Sequence, residues 1–140
     1  MQRFIRSNKR AKSKKIEWKE APDVKRKILR LAKKLQLDWL KTKNIFCVRS
    51  EAANTRALAR IWGLSRIWQI SLGQEPKYII EVVSERFDRL GDLEQDKVLL
   101  HEIAHIPLNF SGSLVPHIRR GKRRFSTKVD ILVAQYMKAK

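Results

Sequence analysis

Apolar residues recur in residues 22–40 with the spacing of one helix face. The stripe consists of Val24, Ile28, Leu31 and Leu35, and Trp39 and Leu40 extend it. Pro22 suits the first helical position, because an N–H there would lack an intrahelical partner anyway. The pattern therefore predicts one helix over the whole of residues 22–40.

Shorter runs rich in β-branched and aromatic residues follow, and they predict strands. One candidate covers residues 45–49, and the clearest one covers residues 78–83. Between them, residues 58–72 are interpreted as two strands that turn at residues 63–65. The strand at 78–83 is also a candidate edge for pairing with an extended peptide substrate, and an interior position in the sheet is the alternative.

Helical patterns return in the last third of the chain. Residues 92–106 are predicted as a helix with Asp92 as its cap, Gln95 in the capping-box position and Pro107 at its end. After a loop, a last helix is predicted from about residue 127 to residue 138. The order of helix, three or four strands, helix, loop and helix predicts an α+β fold.

A chain of 140 residues is long enough for one domain with its own core. Its one cysteine, Cys47, lies in an apolar run and is expected to be buried, and one cysteine cannot form an internal disulfide. The tryptophans Trp18, Trp39, Trp62 and Trp68 are also expected in the core. No apolar run approaches the ~20 residues of a membrane span, so we expect a cytoplasmic protein without a membrane partner.

The net charge of +18 is concentrated near the two ends of the chain. Residues 1–19 carry eight basic residues and one acid, residues 118–128 carry six basic residues and no acid, and residues 81–102 carry seven acids. We therefore expect a flexible basic arm over residues 1–19, followed by a single domain over residues 20–140. The basic ends could bind nucleic acid, and solubility or adaptation to salt or heat is the other explanation.

The predicted helix over residues 92–106 carries the sequence His-Glu-Ile-Ala-His at positions 101–105. Histidines four residues apart project from one helix face, so His101 and His105 can reach the same metal ion. Glu102 lies beside the first ligand and can reach a water on that ion, as the H-E-x-x-H motif requires. Zn²⁺ would lower the pKa of this water, and Glu102 would pass its proton to the leaving amine of a cleaved peptide.

The third metal ligand is predicted to be His117. Catalytic zinc sites usually have three protein ligands, and His117 is the remaining histidine of the chain. It lies twelve residues after His105, beyond a turn, and Pro116 restricts the backbone directly before it. Asp130 is the only acid after Glu102 and is the alternative ligand, although its place near the start of the last helix favours a capping role.

Several features between Tyr78 and His117 resemble those of one known family. They are the strand at 78–83, the sequence Ser-Glu-Arg-Phe at 84–87, the motif at 101–107, Phe110, Gly112 and the Pro-His pair at 116–117. On these residues, the stretch 46–117 resembles the phage-type metallopeptidase family. The resemblance implies a minimal zincin fold and peptidase chemistry, and it leaves the substrate open. More distantly, the stretch is similar to SprT-like proteases, some of which digest proteins crosslinked to DNA.

Other zinc-enzyme patterns fit the chain less well. Metzincins place a histidine six residues after the second one of the motif, where this chain has Ser111. Thermolysin-like enzymes take a glutamate from a later helix, and no glutamate follows Glu102. YbeY-type RNA nucleases use three histidines but lack the glutamate beside the first.

The expected function is therefore that of a zinc metallopeptidase acting on a protein or peptide substrate. The alternative is a basic nucleic-acid-binding protein with a structural or degenerate metal site, or a protease acting on DNA-associated proteins. Glu102 favours the peptidase, because a structural zinc site does not need a general base and usually has four protein ligands. Tyr136, Arg119 and Arg120 are minor candidates for holding an oxyanion, with Tyr136 expected in the core and both arginines at the surface.

Overall fold

The computed structural model describes residues 15–117 and 124–139, and its elements confirm the predicted α+β class. One mixed sheet is formed within these residues by β1 (Glu17–Glu20), β2 (Ile45–Glu51), β3 (Ala59–Gly63) and β4 (Tyr78–Val83). The helices are α1 (Pro22–Lys34), α2 (Arg66–Leu72), α3 (Ser84–Phe87), α4 (Asp92–Ala104) and α5 (Arg124–Lys138). This arrangement is consistent with a small zincin-like fold.

The strands lie in the order β1-β2-β4-β3, with β2 and β4 parallel and the other two pairs antiparallel. Strand β4 is therefore interior, so the interpretation of residues 78–83 as an edge strand is wrong, and β3 forms that edge. At the opposite edge, residues 17–19, the end of the predicted basic arm, belong to β1 and pair with β2. The division of the chain into an arm and one domain stays a prediction.

Alternate residues of the sheet face the helices. The core cluster joins Ile45 and Cys47 of β2 and Tyr78, Ile80 and Val82 of β4 to apolar residues of α1, α4 and α5. Cys47 is buried, as predicted, and burial raises the pKa of its thiol to about 11. The alternate residues Phe46, Trp62 and Ile79 are 41–51% exposed on the other face.

Helix α1 ends six residues before the predicted boundary. The backbone turns at Gln36, which has a φ of +52°, and the N–H of Leu37 donates to the carbonyl of Ala32 at 2.9 Å. This hydrogen bond closes the helix with a Schellman-type turn. The turn buries Leu37 and Leu40 in the core, so the apolar residues after the helix still pack although they are not helical.

The second strand predicted within residues 58–72 is wrong, because residues 66–72 form helix α2. Ser65 precedes this helix in an extended conformation, and Gly73 ends it with a left-handed φ of +63°. The aromatic and β-branched content that favoured a strand lies on the surface instead. Trp18, Trp62 and Trp68 are each more than half exposed, so placing them in the core was also wrong, whereas Trp39 packs against the core.

The buried carboxylate of Asp96 connects α4 to its two neighbouring helices. Arg30 of α1 donates from one guanidinium nitrogen to both carboxylate oxygens at 2.7 Å, and Tyr136 of α5 donates from its hydroxyl at 2.7 Å. Tyr136 is thereby placed in the core, as expected. At the start of α4 the cap is Gly91 without a side-chain hydrogen bond, so the predicted Asp92 cap is wrong.

No helix in the described part of the chain has both the length and the apolar character needed to cross a membrane.

Candidate metal centre

The three histidines predicted as metal ligands come together in the structure. His101 lies in α4, His105 directly follows that helix, and His117 ends the loop that runs back along it. The Nε2 atom of His117 lies 3.1 Å from Nε2 of His101 and 3.2 Å from Nε2 of His105. Asp130, the alternative ligand, is not part of this group of described residues.

The spacing of these nitrogens fits one shared ion. A tetrahedral zinc with ordinary Zn–N bonds separates two of its nitrogen ligands by about 3.3 Å. The two Nε2 distances to His117 are close to this value, and all three ligand nitrogens lie within 4.8 Å of one another. Three imidazoles also leave a tetrahedral ion one position for water or substrate.

The protonation of the histidines also suits ligation. The Nδ1 atom of His105 lies 2.6 Å from the carbonyl oxygen of Val115, which can only accept, so Nδ1 carries the proton and Nε2 has a free lone pair. Burial lowers the pKa of His105, and burial together with its histidine neighbours lowers the pKa of His101. Both rings therefore favour the neutral form, which is the form that binds metals.

Glu102 is buried beside this cluster and lines the same cleft. Burial raises the pKa of its carboxyl group to about 7. A carboxyl group with such a pKa can both take and return a proton near neutral pH.

The loop that carries His117 is held by hydrogen bonds to the sheet and to α2. The hydroxyl of Tyr78 in β4 donates to the carbonyl of Ser113 and accepts from the N–H of Gly112, both at 2.8 Å. The side-chain amide of Gln69 in α2 donates to the carbonyl of Ser111 at 2.9 Å. The N–H of Val115 donates back to the carbonyl of His105 at 2.7 Å. These contacts bring His117 to the histidines of α4.

Glycine is required where this loop approaches the end of β3. A Cβ atom on Gly63 would lie 2.1 Å from the carbonyl oxygen of Gly112, which is a backbone atom that cannot move aside alone. Gly112 itself has a φ of +94°, a conformation that side chains rarely allow. The two glycines therefore permit the close contact between the edge strand and the ligand loop.

Phe125 contacts the candidate metal centre, and the sequence analysis did not single it out. Its ring stacks on His105 at 4.2 Å between centroids, with a tilt of 22°. It also meets His101 edge-on at 5.0 Å and His117 at 4.8 Å. Helix α5 thus supplies one buried aromatic ring that contacts all three imidazoles. The available signal was an aromatic residue within an otherwise basic stretch, residues 119–128.

The histidines open into a cleft with a volume of about 780 Å³, here called the histidine cleft. Its walls are residues 57–62, which include most of edge strand β3, one face of α4, and loop residues 114–117. The buried carboxylate of Glu81 holds the edge strand in place, because it accepts from Arg60 at 2.7 Å and from the indole of Trp62 at 2.9 Å. Burial alone would raise the pKa of Glu81, but these hydrogen bonds lower it, so the group is a charged anchor.

A family model with the description "Putative phage metallopeptidase" matches residues 16–129. The chain belongs to this family. The matched range includes the three histidines, Glu102 and Phe125, and it confirms the family resemblance found in the sequence. No curated protein and no solved structure matches the chain, and the more distant likeness to SprT-like proteases is not shown.

Membership in the phage metallopeptidase family supports a hydrolase that depends on a metal ion. The structure adds a group of three histidines that could hold such an ion. Of the minor candidates for holding an oxyanion, Tyr136 donates its hydroxyl to Asp96 instead. Arg119 and Arg120 lie outside the described residues.

Proposed function

We propose that this protein is a zinc-dependent peptidase in which His101, His105 and His117 hold the metal ion and Glu102 is the general base. The observation that carries the proposal is the convergence of three imidazole Nε2 atoms beside a buried carboxyl group. Three nitrogen ligands favour Zn²⁺ over Mg²⁺ or Ca²⁺, which prefer oxygen. When bound, the ion would supply Lewis acidity, lowering the pKa of water and polarising a peptide carbonyl.

The protein's own groups would then move the proton. Glu102 takes a proton from the attacking water and delivers it to the nitrogen of the leaving amine. Its burial supports this role, because a carboxyl group that titrates near neutral pH can perform both transfers. His105 keeps its orientation through the hydrogen bond from Nδ1 to the carbonyl of Val115.

Strand β3 would hold the substrate. It is the edge of the sheet on the side of the histidines, and it lines the histidine cleft. An extended peptide can add to such an edge by backbone hydrogen bonds, with side chains entering the cleft alternately. The substrate edge proposed for residues 78–83 in the sequence thus moves to residues 59–63.

The test combines metal analysis with digestion of casein by three proteins. We expect the wild type to carry one zinc ion and to cleave casein, and Glu102→Gln to keep the metal and lose about 10²–10⁴ in rate. Glu94→Gln is the matched control, because Glu94 lies on the same helix and lines the same cleft, where it forms an exposed ion pair with Lys97. Cleavage by Glu102→Gln at the wild-type rate would remove the assignment of the base.

The third ligand is tested separately with His117→Ala. We expect zinc affinity to fall by orders of magnitude, because two imidazoles would remain. A variant that binds zinc as tightly as the wild type would show that another group completes the site.

Nucleic-acid binding remains a second proposal, favoured by the net charge of +18. Binding through phosphates would weaken steeply as salt rises, and removal of residues 1–14 would reduce that dependence. Affinity that does not change with salt would argue against it.

A further inference from the structure

Helix α2 presents an apolar surface that the peptidase proposal does not use. Ile67, Trp68, Ile70 and Leu72 are 56–72% exposed, and the buried residue of the helix is the polar Gln69. This arrangement inverts the usual pattern of a surface helix, which buries its apolar face. Exposed apolar patches of this kind mark binding surfaces in soluble proteins. We call these four side chains the α2 patch.

Helix α2, which carries the patch, follows the strand that lines the histidine cleft. Strand β3 runs along the cleft, ends at Gly63, and is followed after two residues by α2. The side chain of Gln69 donates to the carbonyls of Leu64 and Ser111, so it ties the helix to the strand end and to the ligand loop. None of the four patch side chains lines the cleft itself, but the patch begins four residues beyond the end of the strand that does.

The chemistry of the patch selects among possible occupants. Arg66 is the only charged residue of α2, so the helix lacks the several cations that phosphate binding requires. A second copy of the chain would bring another charge of +18 to the contact, which opposes association. An unfolded polypeptide offers exposed apolar side chains without such repulsion.

We propose that the α2 patch is an exosite that binds an apolar segment of an unfolded protein substrate while β3 holds the segment to be cleaved. This inference rests on the proposed peptidase function, and it names the substrate class: polypeptide chains that are locally unfolded and carry an apolar stretch beyond the cleavage site. Folded proteins bury such stretches and are poor substrates for the same reason.

The test compares a long and a short substrate. Ile67→Ser combined with Ile70→Ser removes the two most exposed isoleucines, and Leu29→Ser on α1 is the control, an exposed apolar residue that does not line the cleft. Loss of two isoleucine side chains that become partly buried against the substrate should lower the affinity for that substrate roughly tenfold or more. On reduced, carboxymethylated casein we expect the kcat/KM of the double variant to be about tenfold lower than that of the wild type. On a six-residue peptide that spans a cleavage site of the same casein, we expect the two proteins to have equal kcat/KM.

Equal losses on both substrates, or no loss on casein, would overturn the exosite. So would self-association of the wild type that the double variant abolishes, because the patch would then bind a second copy. A binding measurement separates this proposal from the peptidase proposal. Fluorescein-labelled unfolded casein should bind the wild type about tenfold more tightly than the double variant, even if neither protein cleaves it. Equal binding by the two proteins would refute the exosite whatever the outcome of the cleavage assay.

Discussion

The hydroxyl of Tyr136 offers a direct test of whether this residue supports the fold or the chemistry. It donates to the buried carboxylate of Asp96 at 2.7 Å, and Arg30 donates to the same carboxylate. Replacement by phenylalanine removes the hydrogen bond to Asp96 and keeps the ring. Burial and the neighbouring Asp96 raise the pKa of Tyr136 to about 12, so the residue is a neutral donor at any working pH.

The expected effect is a loss of stability without a loss of function. A hydrogen bond to a charged group contributes about 1.5–3 kcal/mol, and Asp96 keeps its contact with Arg30 after the change. With an unfolding entropy of about 2.1 cal/mol/K per residue, this loss lowers the melting temperature of a chain of this length by roughly 5–10 °C. Circular dichroism at fixed metal concentration measures the shift, and a chelator competition measures zinc affinity.

Tyr78→Phe is the matched comparison. Its hydroxyl contacts Gly112 and Ser113 of the ligand loop, so we expect this change to lower zinc affinity as well as stability. The reasoning would be refuted if Tyr136→Phe reduced kcat/KM tenfold with an unchanged melting temperature, since Tyr136 would then act in catalysis.

Three further predictions concern the metal centre. Gly63→Ala forces a Cβ against the backbone of Gly112, so we expect the free energy of unfolding to fall by about 1–3 kcal/mol. Urea titration measures this loss, and an unchanged midpoint would contradict the close contact. Phe125→Leu keeps an apolar side chain but loses the ring contacts, so zinc affinity should fall. Because Phe125 is buried in the core, the metal-free protein should also lose about 0.5–3 kcal/mol in stability, so affinity is compared where both proteins are folded. Unchanged affinity would mean that the ring does not position the histidines. The pKa of Glu102 is raised from 4.5 to about 7, so the folded protein holds this proton more tightly than the unfolded chain. In the metal-free protein its contribution to stability is therefore present below pH 4.5 and declines as pH rises to about 7, and the difference between wild type and Glu102→Gln should show this decline.

The features that sequence reasoning captured depend on local periodicity. The apolar stripe of α1 and the four-residue spacing of His101 and His105, the second of which caps α4, follow from local helical periodicity, so they can be predicted without knowing what packs against either helix. The predicted start of α1 was correct because Pro22 and the apolar stripe both indicate it. The predicted end was wrong because Leu37 and Leu40 are buried in a turn that only tertiary packing selects.

The features that sequence reasoning missed depend on contacts between distant parts of the chain. Residues 66–72 have the composition of a strand, but they form a helix whose Gln69 is fixed by the carbonyls of Leu64 and Ser111. Phe125 contacts three histidines because α5 packs on α4, and no spacing along the chain encodes that contact. The edge position of β3 follows from strand order, which the strand patterns alone leave open.

The placement of the histidines on both sides of a loop has a consequence for how the protein responds to metal supply. An ion shared by His105 and His117 would act as a reversible cross-link that closes the intervening loop and joins α4 to the segment leading into α5. Any ion that binds the folded chain alone adds RT ln(1 + [M]/Kd) to its stability, about 2.7 kcal/mol at a hundredfold excess over Kd. On the proposed function, the folded fraction would rise and fall with free zinc, so scarcity of the metal would lower the amount of folded protein as well as its activity.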